Sequence, residues 1–332
     1  MKNRLHNCIL RSILLSLILL VGFTKTFSQS LIFGNEKFKV ETGIDFGPSF
    51  FLGDLGGNVG KGTHFVKDLN YNFTKLMKGA FITVYPAGWI GFRLSADYTY
   101  LEGSDAVIST KGVDELWRKQ RNLDFKTDIW ELQFGAEIFP TMLFNKYSDY
   151  APRLRPYGFI GGGIFHFNPK GSLTDANGNT TWYALQPLRT EGQGMAEYPQ
   201  SKPYKLTQFN IPIGMGLKFY ASDRVNVSTE FLYRKSFTDY IDDVSTTTID
   251  PVYFSKYLSP ADAAIATRIS DKTIGIVTPG VTRYAPGTQR GNPKNKDAYF
   301  SLILKIGIRL GEIYESDFAR KAARQTRCPH FF

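Results

Sequence analysis

Cysteine and histidine are scarce in this chain of 332 residues: two of the first, Cys8 and Cys328, and four of the second, His6, His64, His166 and His330. They do not fall at the spacing of a structural or catalytic metal site. After Gln29 there is no apolar run of the roughly 20 residues that a membrane-spanning helix needs. Nor does the chain show the long helical periods and the Ala and Leu excess of a soluble α/β enzyme. No basic helix or aromatic-lined motif for nucleic acid accompanies its positive charge.

The N-terminus carries the clearest signal. Lys2, Arg4 and Arg11 precede an apolar stretch from Ser12 to Phe23, followed by the small and polar residues Thr24 to Gln29. This is the layout of a secretory signal peptide, too short for an anchor helix, with cleavage expected after Ser28. Cys8 precedes the apolar core and is not a lipid-accepting cysteine. Residues 1–28 supply four bases and no acid, so the net charge falls from +10 to +6 on their removal. That excess suits anionic lipid headgroups. The exported chain keeps Cys328 alone, which points to an intermolecular partner or a free thiol.

The rest is rich in aromatics, with 27 Phe and 18 Tyr, and in glycine, with 31. Apolar and polar residues alternate strictly in several segments. Phe209, Ile211, Ile213, Met215, Leu217 and Phe219 interleave with Asn210, Pro212, Gly214, Gly216 and Lys218. Phe300, Leu302, Leu304, Ile306, Ile308 and Leu310 form another such row, with Ser301, Lys305, Gly307 and Arg309 opposite. Residues 38–46, 90–100, 130–138 and 225–233 repeat the pattern, and 75–86 and 153–167 do so less regularly. A period of two marks strands with two unlike faces. Eight segments of about 10 to 15 residues fit tilted transmembrane strands. Their connections alternate: short or moderate near 86–88, 141–152 and 221–223, long at 53–74, 102–126, 168–205 and 237–296. Short periplasmic turns and long outer loops define a transmembrane barrel, and closure leaves no strand edge facing lipid. We therefore expect an all-β fold: a closed antiparallel transmembrane barrel over residues 29–311, both ends periplasmic, with a tail over 312–332.

Eight strands enclose a space that side chains can fill. The inward faces bring Glu41, Asp45, Asp97, Glu131, Glu137 and Glu230 together with Arg93, Lys218, Arg234, Lys305 and Arg309. These residues could carry protons or ions, or form a plug of salt bridges. Near-neutrality favours the plug, because an unpaired interior charge is costly, and work then falls to the loops and tail.

Few residues offer chemistry. Lipid-modifying barrel enzymes need a His–Ser or His–acid arrangement at the outer rim, and His166 is the histidine placed for one, although a structural or headgroup-facing role is the commoner use. Asp239, Asp242 and Asp243 could hold calcium but lack a regular ligand pattern, so a solvated or loop-ordering cluster is the expectation. Gly161, Gly162 and Gly163 lie within a strand, where they allow bending or close packing. In the tail, Ser316 can cap a short helix from Asp317 to Arg324, acids first and bases last. Cys328, Phe331 and Phe332 end the chain. The tail is either a disordered extension or a periplasmic docking peg.

Three segments, Phe51 to Gly57, Phe237 to Ser245 and Arg290 to Asp297, resemble the PorG family, outer-membrane barrels of the type IX secretion and gliding machinery of Bacteroidetes. The resemblance spans essentially the whole exported chain. It implies a non-enzymatic outer-membrane anchor or adaptor, without cofactor, that contacts a periplasmic lipoprotein and its ring partner. The positions available for that contact are Arg320, Arg324, Cys328, Phe331 and Phe332. Surface binding through the long loops, or lipid A modification through His166, is the alternative.

Overall fold

The computed structural model describes residues 38–55, 73–108, 113–143, 152–277 and 283–310, the side chains of 113–115 excepted. The expected signal peptide and the expected tail, with Arg320, Arg324, Cys328, Phe331 and Phe332, lie outside the described residues, as does His64. The wall begins with five long strands: β1 (Lys39–Leu52), β2 (Lys75–Ala87), β3 (Ile90–Ser104), β4 (Asp124–Ile138) and β5 (Leu154–His166). A small hairpin of β6 (Lys170–Thr174) and β7 (Thr180–Ala184) then rises from the third long loop. Three more long strands complete the wall of eight: β8 (Thr207–Tyr220), β9 (Val225–Ser236) and β10 (Ala298–Leu310). Neighbouring wall strands are antiparallel, β1 joins β10, and β3 joins β4, so the sheet closes on itself.

The pleat decides what faces where. Along β10, Leu302, Ile306 and Ile308 are exposed, whereas Ser301 and Lys305 on the opposite face are buried. Phe92, Leu94, Leu132, Phe134, Ile211 and Ile213 are likewise exposed on the outside. An apolar outer face over a polar lumen is the reverse of a soluble sandwich, and it requires a bilayer as solvent. Inward glycines admit large neighbours: a Cβ on Gly216 would stand 2.6 Å from the Tyr157 ring, and one on Gly163 would meet the Asn210 amide at 2.2 Å.

Two expected boundaries move. Strand β3 continues to Ser104 and β4 begins at Asp124, in unbroken register through Leu101↔Thr127 and Gly103↔Phe125. In this outer stretch the faces exchange polarity. Leu101 and Phe125 now point inward, while Glu102 and Lys126 point out. The wall therefore rises above the membrane as an ordinary water-exposed sheet, and alternation counted in one phase stops where the phase changes.

Candidate functional site

The lumen is filled rather than open. Arg93 donates to both carboxylate oxygens of Glu230, at 2.6 and 2.9 Å, and to Glu137 at 2.9 Å. Lys218 reaches Glu41 at 3.0 Å and Glu137 at 3.1 Å, and Lys305 reaches Glu137 at 3.1 Å and Glu230 at 3.4 Å. Tyr85 and Tyr157 hydroxyls donate to Glu137 and Glu230. Three cations thus meet three carboxylates, so this inner cluster is neutral and its bonds are charge-assisted, while Asp45 lies buried beside it. Nearer the outer end, Arg234 binds Glu131 at 2.7 Å and the Ser301 hydroxyl at 2.6 Å, and Gln133 donates to Asp97 at 2.6 Å. Met77, Phe159, Leu232 and Ile303 fill space between these groups.

Arg309 departs from expectation. It is half-buried at the periplasmic end with its guanidinium 5.4 Å from the centre of the Tyr220 ring, outside the paired set. Its register neighbour Glu41 turns to Lys218 instead. The central network therefore runs through Arg93, Lys218, Lys305 and Arg234.

Above the lumen the four long loops form a cap, seated on a dry cluster of Leu55, Leu101, Phe125, Ile129, Phe165, Phe167, Ile241, Val244 and Tyr299. Ile241 and Val244 insert from the loop after β9, so that loop folds into the barrel mouth. The three segments singled out in the sequence converge here. The Asp242 carboxylate accepts from the Leu55 amide at 3.1 Å, Asp297 from the Ile241 amide at 2.8 Å, and Asp54 from the Asn292 amide at 2.6 Å. Asp243, in the left-handed backbone region at φ 63° that a short polar side chain tolerates, accepts from Tyr204 at 2.7 Å and from Thr190. Arg290 ties Glu191 at 3.0 Å to the Asp243 carbonyl at 2.7 Å. Arg121 joins Asp105 to the Asp54 and Arg290 carbonyls. Every long loop contributes to this clasp.

Asp239, Asp242 and Asp243 are therefore buried and order the loops, and they are not solvated. Among the described residues no group of three or more His, Cys, Asp or Glu is arranged to hold a metal ion. Burial pushes the Asp239 carboxyl up to about 7 and Asp243 up to about 6, although Arg290 opposes the second shift. Burial also raises Asp242 and Asp297 well above the usual carboxylate range, and neighbouring carboxylates add to both shifts. The sequence showed the acids but not their burial, which depends on three loops meeting.

The third and fourth loops also share a core of Leu185, Leu188, Met195, Ile249, Phe254, Ala263, Ala266 and Ile269. Its helix Pro260–Ile269 begins at Ser259, whose hydroxyl accepts from the Asp262 amide at 3.2 Å. Beside it opens a polar cleft of about 580 Å³ lined by Asp124, Ser172, Arg268, Asp271, Lys272 and Arg283 among others. No spacing rule brings these residues together in the sequence. His166 stands exposed at the outer rim with Nδ1 3.0 Å from the Thr207 hydroxyl, and among the described residues no carboxylate bonds to it.

No protein-family model matches the chain, and no curated protein matches it. Solved structures similar to it include Ail, the attachment invasion locus protein of Yersinia pestis, at 10% identity and TM-score 0.33, covering 83% of this chain and 100% of that one. OprG from Pseudomonas aeruginosa has 10% identity and TM-score 0.31, covering 83% and 96%. A major outer membrane protein from Thermus thermophilus has 11% and 0.35, covering 82% and 99%. Likeness at this level adds no role; the closed register and the polarity of the two faces make this chain an eight-stranded transmembrane barrel.

Proposed function

We propose that the chain is a non-enzymatic anchor of the outer membrane, and that its periplasmic tail docks on the lipoprotein ring of a type IX secretion or gliding machine. The observation that carries the anchor reading is the double closure, a salt-bridge plug inside the wall and a buried clasp over its mouth. With no open path through the lumen, work passes through what the barrel holds on either side. An apolar outer face needs a bilayer, and closed barrels with long outer loops are the form suited to the outer membrane. The ring partner rests on the resemblance of residues 51–57, 237–245 and 290–297, with Arg320, Arg324, Cys328, Phe331 and Phe332 as contacts. Truncation after Gly311 tests it: normal insertion with lost secretion supports the adaptor, and intact secretion contradicts it.

A second reading is favoured by the cleft in the cap, which would take an external polar ligand. A cap-borne function survives the same truncation and is lost on substitution of Arg268 and Lys272. Lipid A modification through His166 would return only if His166→Ala changed the lipid A profile.

A further inference from the structure

One row of outward side chains crosses four adjacent strands at a single level. Lys78 of β2 pairs with Tyr98 of β3, Tyr98 with Trp130 of β4, and Trp130 with His166 of β5. Trp130 is 63% exposed, its ring 4.7 Å from that of Tyr98, and Lys78 lies 5.5 Å from the Tyr98 ring centre. The next row toward the membrane centre reads Ala80, Ala96, Leu132, Ile164. Its two alanines leave an indentation bounded by Trp130, Leu132 and Ile164, a groove of about 610 Å³ that also reaches Lys78, Tyr98 and His166. Aromatic rings at the edge of an apolar band mark the bilayer interface. The groove therefore begins at headgroup level and descends among the acyl chains.

The carboxylates at and above this level are engaged, which leaves Lys78 as a cation facing the bilayer surface. Lys78, Lys126 and Lys170 face outward here, against Glu102, Asp124 and Asp128, and Lys75 at the start of β2 and Lys272 of the fourth loop reach over to Glu102 and Asp124. Glu102 pairs with Lys75 at 3.0 Å, Asp124 pairs with Lys272, and Asp128 accepts from the Tyr98 hydroxyl at 2.6 Å, so none of these carboxylates is turned to Lys78. His166, beside Thr207, adds a donor at the far end of the row. Three strand spacings separate Lys78 from His166, roughly 14 Å, comparable to the length of a disaccharide headgroup phosphorylated at both ends.

We propose that this face is a site for a phosphorylated glycolipid of the outer leaflet. One acyl chain fills the indentation over Ala80 and Ala96, the sugar lies across Tyr98 and Trp130, and the phosphates meet Lys78 and His166. The site rests on the membrane reading above but not on the ring partner.

The test is native mass spectrometry of the full chain released from mild detergent, with bis-phosphorylated lipid A, its dephosphorylated form and phosphatidylethanolamine as probes. Lipid A should be retained in preference to both others. Ala96→Trp, which fills the groove, should abolish most of that retention. Lys78→Gln should weaken it about fivefold, the effect of one cation beside an anionic surface, and should not change binding of the dephosphorylated form. Equal retention of the three lipids, or retention unchanged in both variants, overturns the site. Flotation with vesicles separates the two levels of failure: a chain that does not float contradicts the membrane reading and the site with it, whereas one that floats without discriminating contradicts the site alone.

Discussion

Arg93 on β3 grips Glu230 on β9 through paired hydrogen bonds of 2.6 and 2.9 Å, and these strands lie four steps apart whichever way the wall is followed. The bond is a strut across the full width of the barrel. Glu137 on β4 and Lys305 on β10 form a second strut between opposed strands. Fixed cross-lumen pairs tie opposite sides of the wall together and fill its centre with side chains.

Glu137 is the hub, since Arg93, Lys218, Lys305 and Tyr85 all converge on it. Glu137→Ala leaves three buried cations facing two carboxylates, and removing one partner of a buried pair costs about 3–5 kcal/mol. Urea unfolding in vesicles, followed by the folded-band mobility on gels, should show stability falling by that amount. An unchanged midpoint would mean that the network is not under load.

The cap should come loose separately from the wall. Arg290→Ala strands Glu191, whose other bonds run to the Ser245 and Thr246 amides and the Thr246 hydroxyl, at a comparable cost of about 3–5 kcal/mol. External protease should then cut between 237 and 297 while the strands stay protected. Loss of the whole barrel would contradict the separation of clasp and plug.

Acidity should tighten the cap. Asp239 and Asp243 have carboxyls at about 7 and about 6 in the folded chain, against roughly 3.9 for an unfolded Asp. Between these values the folded cap binds more protons than the unfolded one. Stability is then fully present below about pH 4 and falls as pH rises through 6 to 7. Protease cleavage of the cap should accelerate from pH 6 to pH 8, and Asp239→Asn with Asp243→Asn should make the profile shallower, with Asp242 and Asp297, whose carboxyls burial also raises, carrying what remains.

Inward glycines should resist any side chain. Gly216→Leu drives carbon into the Tyr157 ring, and overpacking costs about 1–3 kcal/mol or more. The folded yield in refolding trials should drop, whereas Gly162→Leu, with nothing within 4 Å of its added Cβ, should fold normally.

Much of the wall was legible because a strand between lipid and lumen has two unlike faces, and the row from Phe209 to Phe219 can be read by parity alone. Lys218, Glu137 and Glu230 followed from the same parity. Leu101 and Phe125 did not, since the faces exchange polarity where the wall leaves the membrane. The hairpin β6–β7 is short and carries no apolar row. The clasp was illegible in its geometry although its segments were visible. Asp54, Asp242 and Asp297 are brought together by chain closure across about 240 residues, and local spacing holds no record of that. Arg309 shows the limit of parity: it faces inward, but Glu41 is already taken by Lys218.

The most direct test of the sealed, inverted barrel is a nitroxide scan of β10 in bilayers, with Cys328→Ser as background and single cysteines at Leu302, Ile306, Ile308, Ser301 and Lys305. Labels at Leu302, Ile306 and Ile308 should collide readily with oxygen and hardly at all with a water-soluble nickel chelate, while those at Ser301 and Lys305 should be shielded from both. Nickel access at Lys305 equal to that of an exposed loop would mean a water-filled lumen and would contradict the account.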